Sequence, residues 1–305
     1  MPRGKSVIAT PKANVFAATA YERFELDCKS RNLRPATIET YRIFIKSYID
    51  YIGEDTDISV ITKDSIRDWI IQEQKGNIKD VTIVAKVRHV RAWVYYLMKE
   101  ELIPDFKIAL PKYDEPYKEP YTEAELKTLL AKPTSNAFVE WRTWCLEAFL
   151  IGTGCRISTA LNVKISDLNF EEGFVSFTHL KNRHVQFTPL SSELQKVIEI
   201  YLSLWDYTSD DYLFNNNYET GKVAISTAQQ EIRAYNRRRG VSKTSAHLFR
   251  HTYAKNYICA GGGVFQLQRI LGHADITTTR HYVSLYNSDL KKNYDHLCPL
   301  DNIFR

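Results

Sequence analysis

The sequence predicts a mainly α protein in two parts: an N-terminal helical bundle, then a mostly helical second domain with one small antiparallel β-hairpin. Three observations lead there. From about Val15 to Leu102, apolar residues recur every three or four positions, the period of a helix with one buried face. Four prolines (104, 111, 116 and 120) then crowd residues 104–120, where fixed φ angles and missing N–H groups stop helix continuation. Beyond them the helical period returns, broken by two alternating segments, Phe174–Thr178 and His184–Thr188, which read as paired strands.

Taken in order, residues 1–13 are polar and read as a flexible arm. The bundle occupies 14–103 with four helices. Ile38, Tyr41, Ile45, Tyr48 and Ile52 mark one buried face, and Ile83, Val87, Val90, Val94 and Leu97 another. Residues 104–120 form the linker and 121–286 the second domain. Thr122-Glu-Ala-Glu is a capping box that opens its first helix. Val139–Ile151 is an apolar helix running into Gly152-Thr-Gly154. Lys181-Asn182 sits at the hairpin tip. Helices are expected at 191–204, 225–239, 247–260, 264–271 and 287–296, with 287–305 as a C-terminal tail.

Composition narrows the class. With 305 residues, 44% hydrophobic and 25% charged, the chain has the makeup of an ordinary soluble protein. It holds no apolar run long enough to span a bilayer. The polar N-terminus has no apolar stretch behind its basic residues, so no secretory signal is expected. Five scattered cysteines (28, 145, 155, 259 and 298) form no C-x-x-C pair, which points to reduced thiols and a cytoplasmic protein. Net charge is only +5. Its distribution is more telling: Lys222 to Lys255 holds eight lysines and arginines against one acid, Glu231.

Six residues in the second domain suit chemistry on a phosphodiester: Arg156, Lys181, His247, Arg250, His273 and Tyr282. Arginine's planar fork donates paired hydrogen bonds to phosphate and keeps its proton. His247 and Arg250 lie one turn apart on a single helix. A tyrosine, with a pKa of ~10, needs a base and cationic surroundings supplying about 4 kcal/mol to attack near neutrality. His247 is the candidate base, His273 a further donor to the phosphate, and Lys181 the proton source for the leaving oxygen. Each residue alone has a plainer reading: a surface ion pair for Arg156, a core histidine for His247, a solubilising lysine for Lys181. His247 and His251 also have metal-ligand spacing. The zinc-protease helix, however, requires glutamate after its first histidine, where this chain has Leu248. No metal or other cofactor is expected. For DNA contact the candidates are Arg88, Arg91, Tyr95 and Lys99, aligned on one helix, and Arg237, Arg238, Arg239 and Lys243. A solvated face would show the same charges.

The strings Gly-Thr-Gly-Cys-Arg-Ile-Ser (152–158), His-Leu-Phe-Arg-His-Thr-Tyr-Ala (247–254) and Leu-Gly-His-Ala-Asp-Ile-Thr-Thr-Thr-Arg-His-Tyr (271–282) resemble the tyrosine recombinase, or phage integrase, family. The resemblance covers nearly the whole chain in a Cre-like or Xer-like organisation without an arm-binding domain. It implies that the bundle is a core-binding domain and the second domain catalytic. Arg156 then matches the first arginine, Lys181 the hairpin lysine, His247 and Arg250 the H-x-x-R pair, His273 the Leu-Gly-His histidine and Tyr282 the nucleophile. It further implies a 3′-phosphotyrosyl intermediate without metal or ATP, and double-stranded DNA with inverted-repeat core sites as the partner. A homotetramer on two duplexes, a Holliday junction, an accessory directionality factor and protomer docking through 287–305 follow from it too. One position departs: Thr159 stands where the family usually carries an acid. A type IB topoisomerase-like nicking-closing enzyme and a DNA-binding regulator without catalysis are the competing functions.

Overall fold

A computed structural model describes residues 14–113, 119–178, 185–216 and 221–272, which divide into two compact units near residue 117. The expected arm at 1–13, the helix at 287–296 and the tail at 287–305 lie outside the described residues.

The first unit consists of α1 (Ala17–Ser30), α2 (Pro35–Ile52), α3 (Lys63–Lys75) and α4 (Asp80–Lys99). Its boundaries follow local chemistry. Pro35 starts α2 at a position where a missing N–H costs nothing. Thr62 and Ser65 cap α3 reciprocally, each side chain taking the other's backbone N–H. α1 and α4 end on Asn32 and Glu101, both in the left-handed region. α4 is the central helix and buries Ile83, Val84, Val87, Val90, Trp93, Val94 and Leu97, worth roughly 1.5–3 kcal/mol for each large aliphatic side chain. A half-buried ion pair, Lys86–Glu73 at 2.6 Å, ties it to α3. The residues following α4 are packed: Ile103 and Ile108 are buried in the same core, and the Ile108 N–H donates to the Tyr95 hydroxyl at 3.3 Å. The start of the proline-rich stretch therefore belongs to the bundle's core. Its apolar residues find a surface to cover although no helix presents them.

The second unit opens with α5 (Glu123–Leu129). Its capping box forms as expected: the Thr122 N–H donates to Glu125 Oε2 at 2.7 Å, and the Glu125 N–H to Thr122 Oγ1 at 3.2 Å. α6 (Phe138–Thr153) is buried on every side from Trp141 to Leu150, the pattern of a helix at the centre of a core. A short α7 (Ile157–Ala160) precedes a three-stranded antiparallel sheet of β1 (Leu168–Asn169), β2 (Phe174–Phe177) and β3 (Gln186–Pro189), in that order. Val175 pairs with Thr188 and Phe177 with Gln186. β1 was not expected, since two residues are too few to show alternation. α8 (Ser192–Leu202), α9 (Ile225–Arg238), α10 (Ala246–Cys259) and α11 (Val264–Leu271) complete the unit. α8, α9 and α10 all pack on α6.

Candidate active site

The site begins where α6 stops. Gly154 caps that helix in the left-handed conformation, φ +64°. A Cβ there would lie 2.5 Å from the Tyr253 ring and 2.9 Å from Leu271, so both the backbone angle and the packing require glycine. The sharp turn delivers Arg156 as the residue that starts α7. Thr159, in the position of the usual acid, uses its N–H on the Arg156 carbonyl at 2.8 Å.

Arg156 and His247 line one cleft of about 420 Å³, together with Ser158, Gln229, Arg233 and Ser245. Among the described residues no carboxylate lines it. Among the described residues Arg156 and Arg233 have no carboxylate partner. α9 does carry an acid, Glu231, but it is turned inward, where Arg142 Nη2 holds it at 2.6 Å. The face of α9 towards the cleft keeps Gln229 and Arg233, one turn apart. α10 contributes its N-terminus. Ser245, its N-cap, makes no side-chain bond to the helix, leaving first-turn N–H groups and the positive end of the helix dipole towards the cleft. Two guanidinium groups, a histidine and a helix N-terminus, with no carboxylate among the described residues, make an anion site of phosphate character. Cys155 borders it too, yet burial pushes its thiol up to about 11, so no thiolate nucleophile forms near neutrality. Among the described residues no tyrosine lines the cleft.

Arg250 is placed differently from what spacing alone suggests. It shares α10 with His247, but it is 2% exposed and does not line the cleft. Nη1 donates to the Gly154 carbonyl at 3.0 Å and Nη2 to the Leu271 carbonyl at 2.8 Å. Its guanidinium joins the turn that presents Arg156 to the end of α11, immediately before Gly272 and His273 in sequence. Lys181, His273 and Tyr282 lie outside the described residues.

The DNA-contact candidates separate into two groups. Arg88, Tyr95 and Lys99 are exposed along α4, and Arg91 lies over the Tyr95 ring, 5.9 Å from its centre. Among the described residues none of these three cations has a carboxylate partner. Arg237 and Arg238 are exposed at the end of α9. Arg239 and Lys243 are instead engaged within the unit. Arg239 donates to the Thr128 and Ala131 carbonyls and stacks on Tyr235 at 4.4 Å. Lys243 bonds Glu125 and the Pro120 carbonyl, each at 2.9 Å. Arg233 was missed at the sequence level. Its signal, an i, i+4 pair with Gln229, is common on any solvated helix.

Residues 120–288 match the model of the phage integrase family. A tyrosine recombinase of Pseudothermotoga lettingae is 26% identical over 85% of this chain and 91% of its own. The recombinase XerA of Pyrococcus furiosus is 28% identical over 92% of each. Among solved structures, the Tn1549 transposon integrase bound to a circular-intermediate DNA superposes with a TM-score of 0.74. It shares 18% identity over 93% of this chain and 99% of that one, a likeness of fold. The family match spans more than half of the chain and includes the turn with Arg156, the cleft and the Leu-Gly-His string. The chain belongs to the phage integrase family of tyrosine recombinases.

Proposed function

We propose that this chain recombines DNA at specific sites, with Tyr282 as its nucleophile and the cleft of Arg156, Arg233 and His247 as the seat of the scissile phosphate. The observation that carries this is the cleft itself at the start of α10, cationic and, among the described residues, lined by no carboxylate. In cleavage the Tyr282 hydroxyl gives its proton to His247 and its oxygen bonds phosphorus. The bond from phosphorus to the 5′ oxygen breaks, and that oxygen takes a proton from Lys181. A 3′-phosphotyrosine and a free 5′-hydroxyl result. Attack by a 5′-hydroxyl reverses the step and restores the tyrosine, so neither metal nor ATP is consumed. Charge developing on the phosphate oxygens is met by Arg156, already in place, the kind of preorganised stabilisation that dominates phosphoryl transfer, while Arg233 helps to hold the phosphate in the cleft. Arg250 supports the site from behind through Gly154, and His273 donates to the phosphate.

The partner is double-stranded DNA carrying inverted-repeat core sites, gripped by the α4 stripe of Arg88, Arg91 and Lys99 as well as by the cleft. Exchange between two duplexes then runs through a homotetramer and a Holliday junction, with an accessory factor setting direction. Mobile-element integration and chromosome resolution share this chemistry and differ in the DNA sites used.

A nicked suicide substrate tests the reading. Wild-type protein should form a covalent protein–DNA adduct, in EDTA as readily as in Mg²⁺. Tyr282→Phe should bind DNA with unchanged affinity and form none. An adduct that persists in Tyr282→Phe moves the nucleophile elsewhere. Relaxation of supercoils with no joined product would indicate a nicking-closing enzyme instead.

A further inference from the structure

α11 ends one residue short of His273, and its C-terminus is held with unusual completeness. A helix leaves its last four carbonyls without intrahelical donors. Here all four are met. The Gly272 N–H serves Gln268 and Arg269. Arg250 Nη2 serves Leu271 at 2.8 Å, and Gln186 Nε2 serves Ile270 at 2.5 Å.

Gln186 is the first residue of β3, five positions after Lys181 in sequence. The same Nε2 lies 3.3 Å from Thr188 Oγ1, whose residue is buried, so the amide is braced from its own strand. On the far side the Gln186 carboxamide oxygen fills the space over Gly272. A Cβ at Gly272 would come within 2.5 Å of that oxygen. Gly272 is also left-handed, φ +61°, so glycine is required there both by conformation and by the close approach of Gln186. Nothing local to the Leu-Gly-His string needs this contact. It joins two strings of sequence that separately carry Lys181 and His273.

We propose that Gln186 is a positioning residue for DNA cleavage, fixing the end of α11 against β3 so that the proton donor and the phosphate-binding histidine keep a common register. The proposal rests on the recombinase reading above. Gln186 touches neither cleft nor substrate in this role; it acts through Ile270 and Gly272. Misplacing reacting groups by about 1 Å costs on the order of 10²-fold in rate, so losing one of two side-chain clasps should be felt in chemistry and not in binding.

Single-turnover cleavage of the suicide substrate, DNA affinity and thermal stability are measured on the full chain. Gln186→Leu is one atom shorter, keeps a branched apolar side chain and loses the donor. Its cleavage rate should fall ten-fold or more while Kd stays within two-fold of wild type. Gln186→Glu restores a donor only when its carboxyl is protonated. Its rate, divided by the wild-type rate at each pH, should climb as pH falls from 8 to 5.5. A wild-type rate for Gln186→Leu overturns the proposal. So does a flat ratio for Gln186→Glu that tracks Gln186→Leu at every pH, which would mark a packing role alone. Absence of any adduct with wild-type protein would instead overturn the recombinase reading on which this one stands.

Discussion

Arg142, buried in α6, holds Glu231 of α9 at 2.6 Å and donates through Nη1 to the Asn215 carbonyl, also at 2.6 Å. This pair has two consequences. It locks α9 to the central helix, and it takes the single acid of the basic stretch out of reach of the cleft. The electrostatics of the site thus depend on a contact made on the opposite side of α9.

Arg142→Ala should cost about 3–5 kcal/mol of stability, since Glu231 would be left largely buried without its partner. Replacing both residues together, Arg142→Met with Glu231→Leu, should recover much of that loss. Urea unfolding of the two variants checks it; equal losses in both would show that the ion pair is not the cause.

Glu147 presents the reverse case. It is fully buried in α6, and among the described residues neither carboxyl oxygen has a hydrogen-bond partner. Burial holds its pKa well above 4.5, against a smaller lowering by Arg239. Because the folded value is raised, no penalty exists below the unfolded value near 4.5. As pH rises from there towards the folded pKa, stability falls by about 1.4 kcal/mol per pH unit. Glu147→Gln should therefore raise Tm at pH 7 and converge with wild type below pH 4.5. Parallel Tm curves for the two proteins across pH 4–8 would refute this.

In the cleft, Arg156→Ala should lower the single-turnover cleavage rate by about 10² or more, the scale of losing one donor to a developing oxyanion. Arg233→Ala should act mainly on binding and flatten the salt dependence of DNA affinity by about one unit of slope. A large rate loss with unchanged binding in Arg233→Ala would move that residue into the chemistry.

On α4, Arg88→Ala with Arg91→Ala should flatten the same salt slope by about two units while the fold is kept. Neither arginine has a carboxylate partner among the described residues, so the loss should be phosphate contact alone. Titrations between 50 and 200 mM salt decide it. An unchanged slope in the folded double variant would make this face a solvated surface.

Much of the molecule was legible in the chain because its determinants are local. The Thr122–Glu125 box is written within four residues, the α4 stripe within a helical period, and the hairpin in two alternating runs of Phe, Val and Thr. The strings around Arg156 and His247 gave the chemistry by residue type and order.

What the sequence could not settle is which cations line the cleft, because that depends on partners distant along the chain. Arg239 is consumed by carbonyls of Thr128 and Ala131, more than a hundred positions away, and Lys243 by Glu125. Arg250 turns from the cleft to Gly154 and Leu271. Arg233, on an undistinguished stretch of helix, takes a place in the cleft beside Arg156. Sequence by itself determined the helices, the hairpin and the kind of reaction, since spacing and residue type decide those. Only the tertiary structure decided which charges are spent inside the protein and which remain for DNA. A buried donor must find an acceptor wherever the fold brings one, and no local pattern records where that will be.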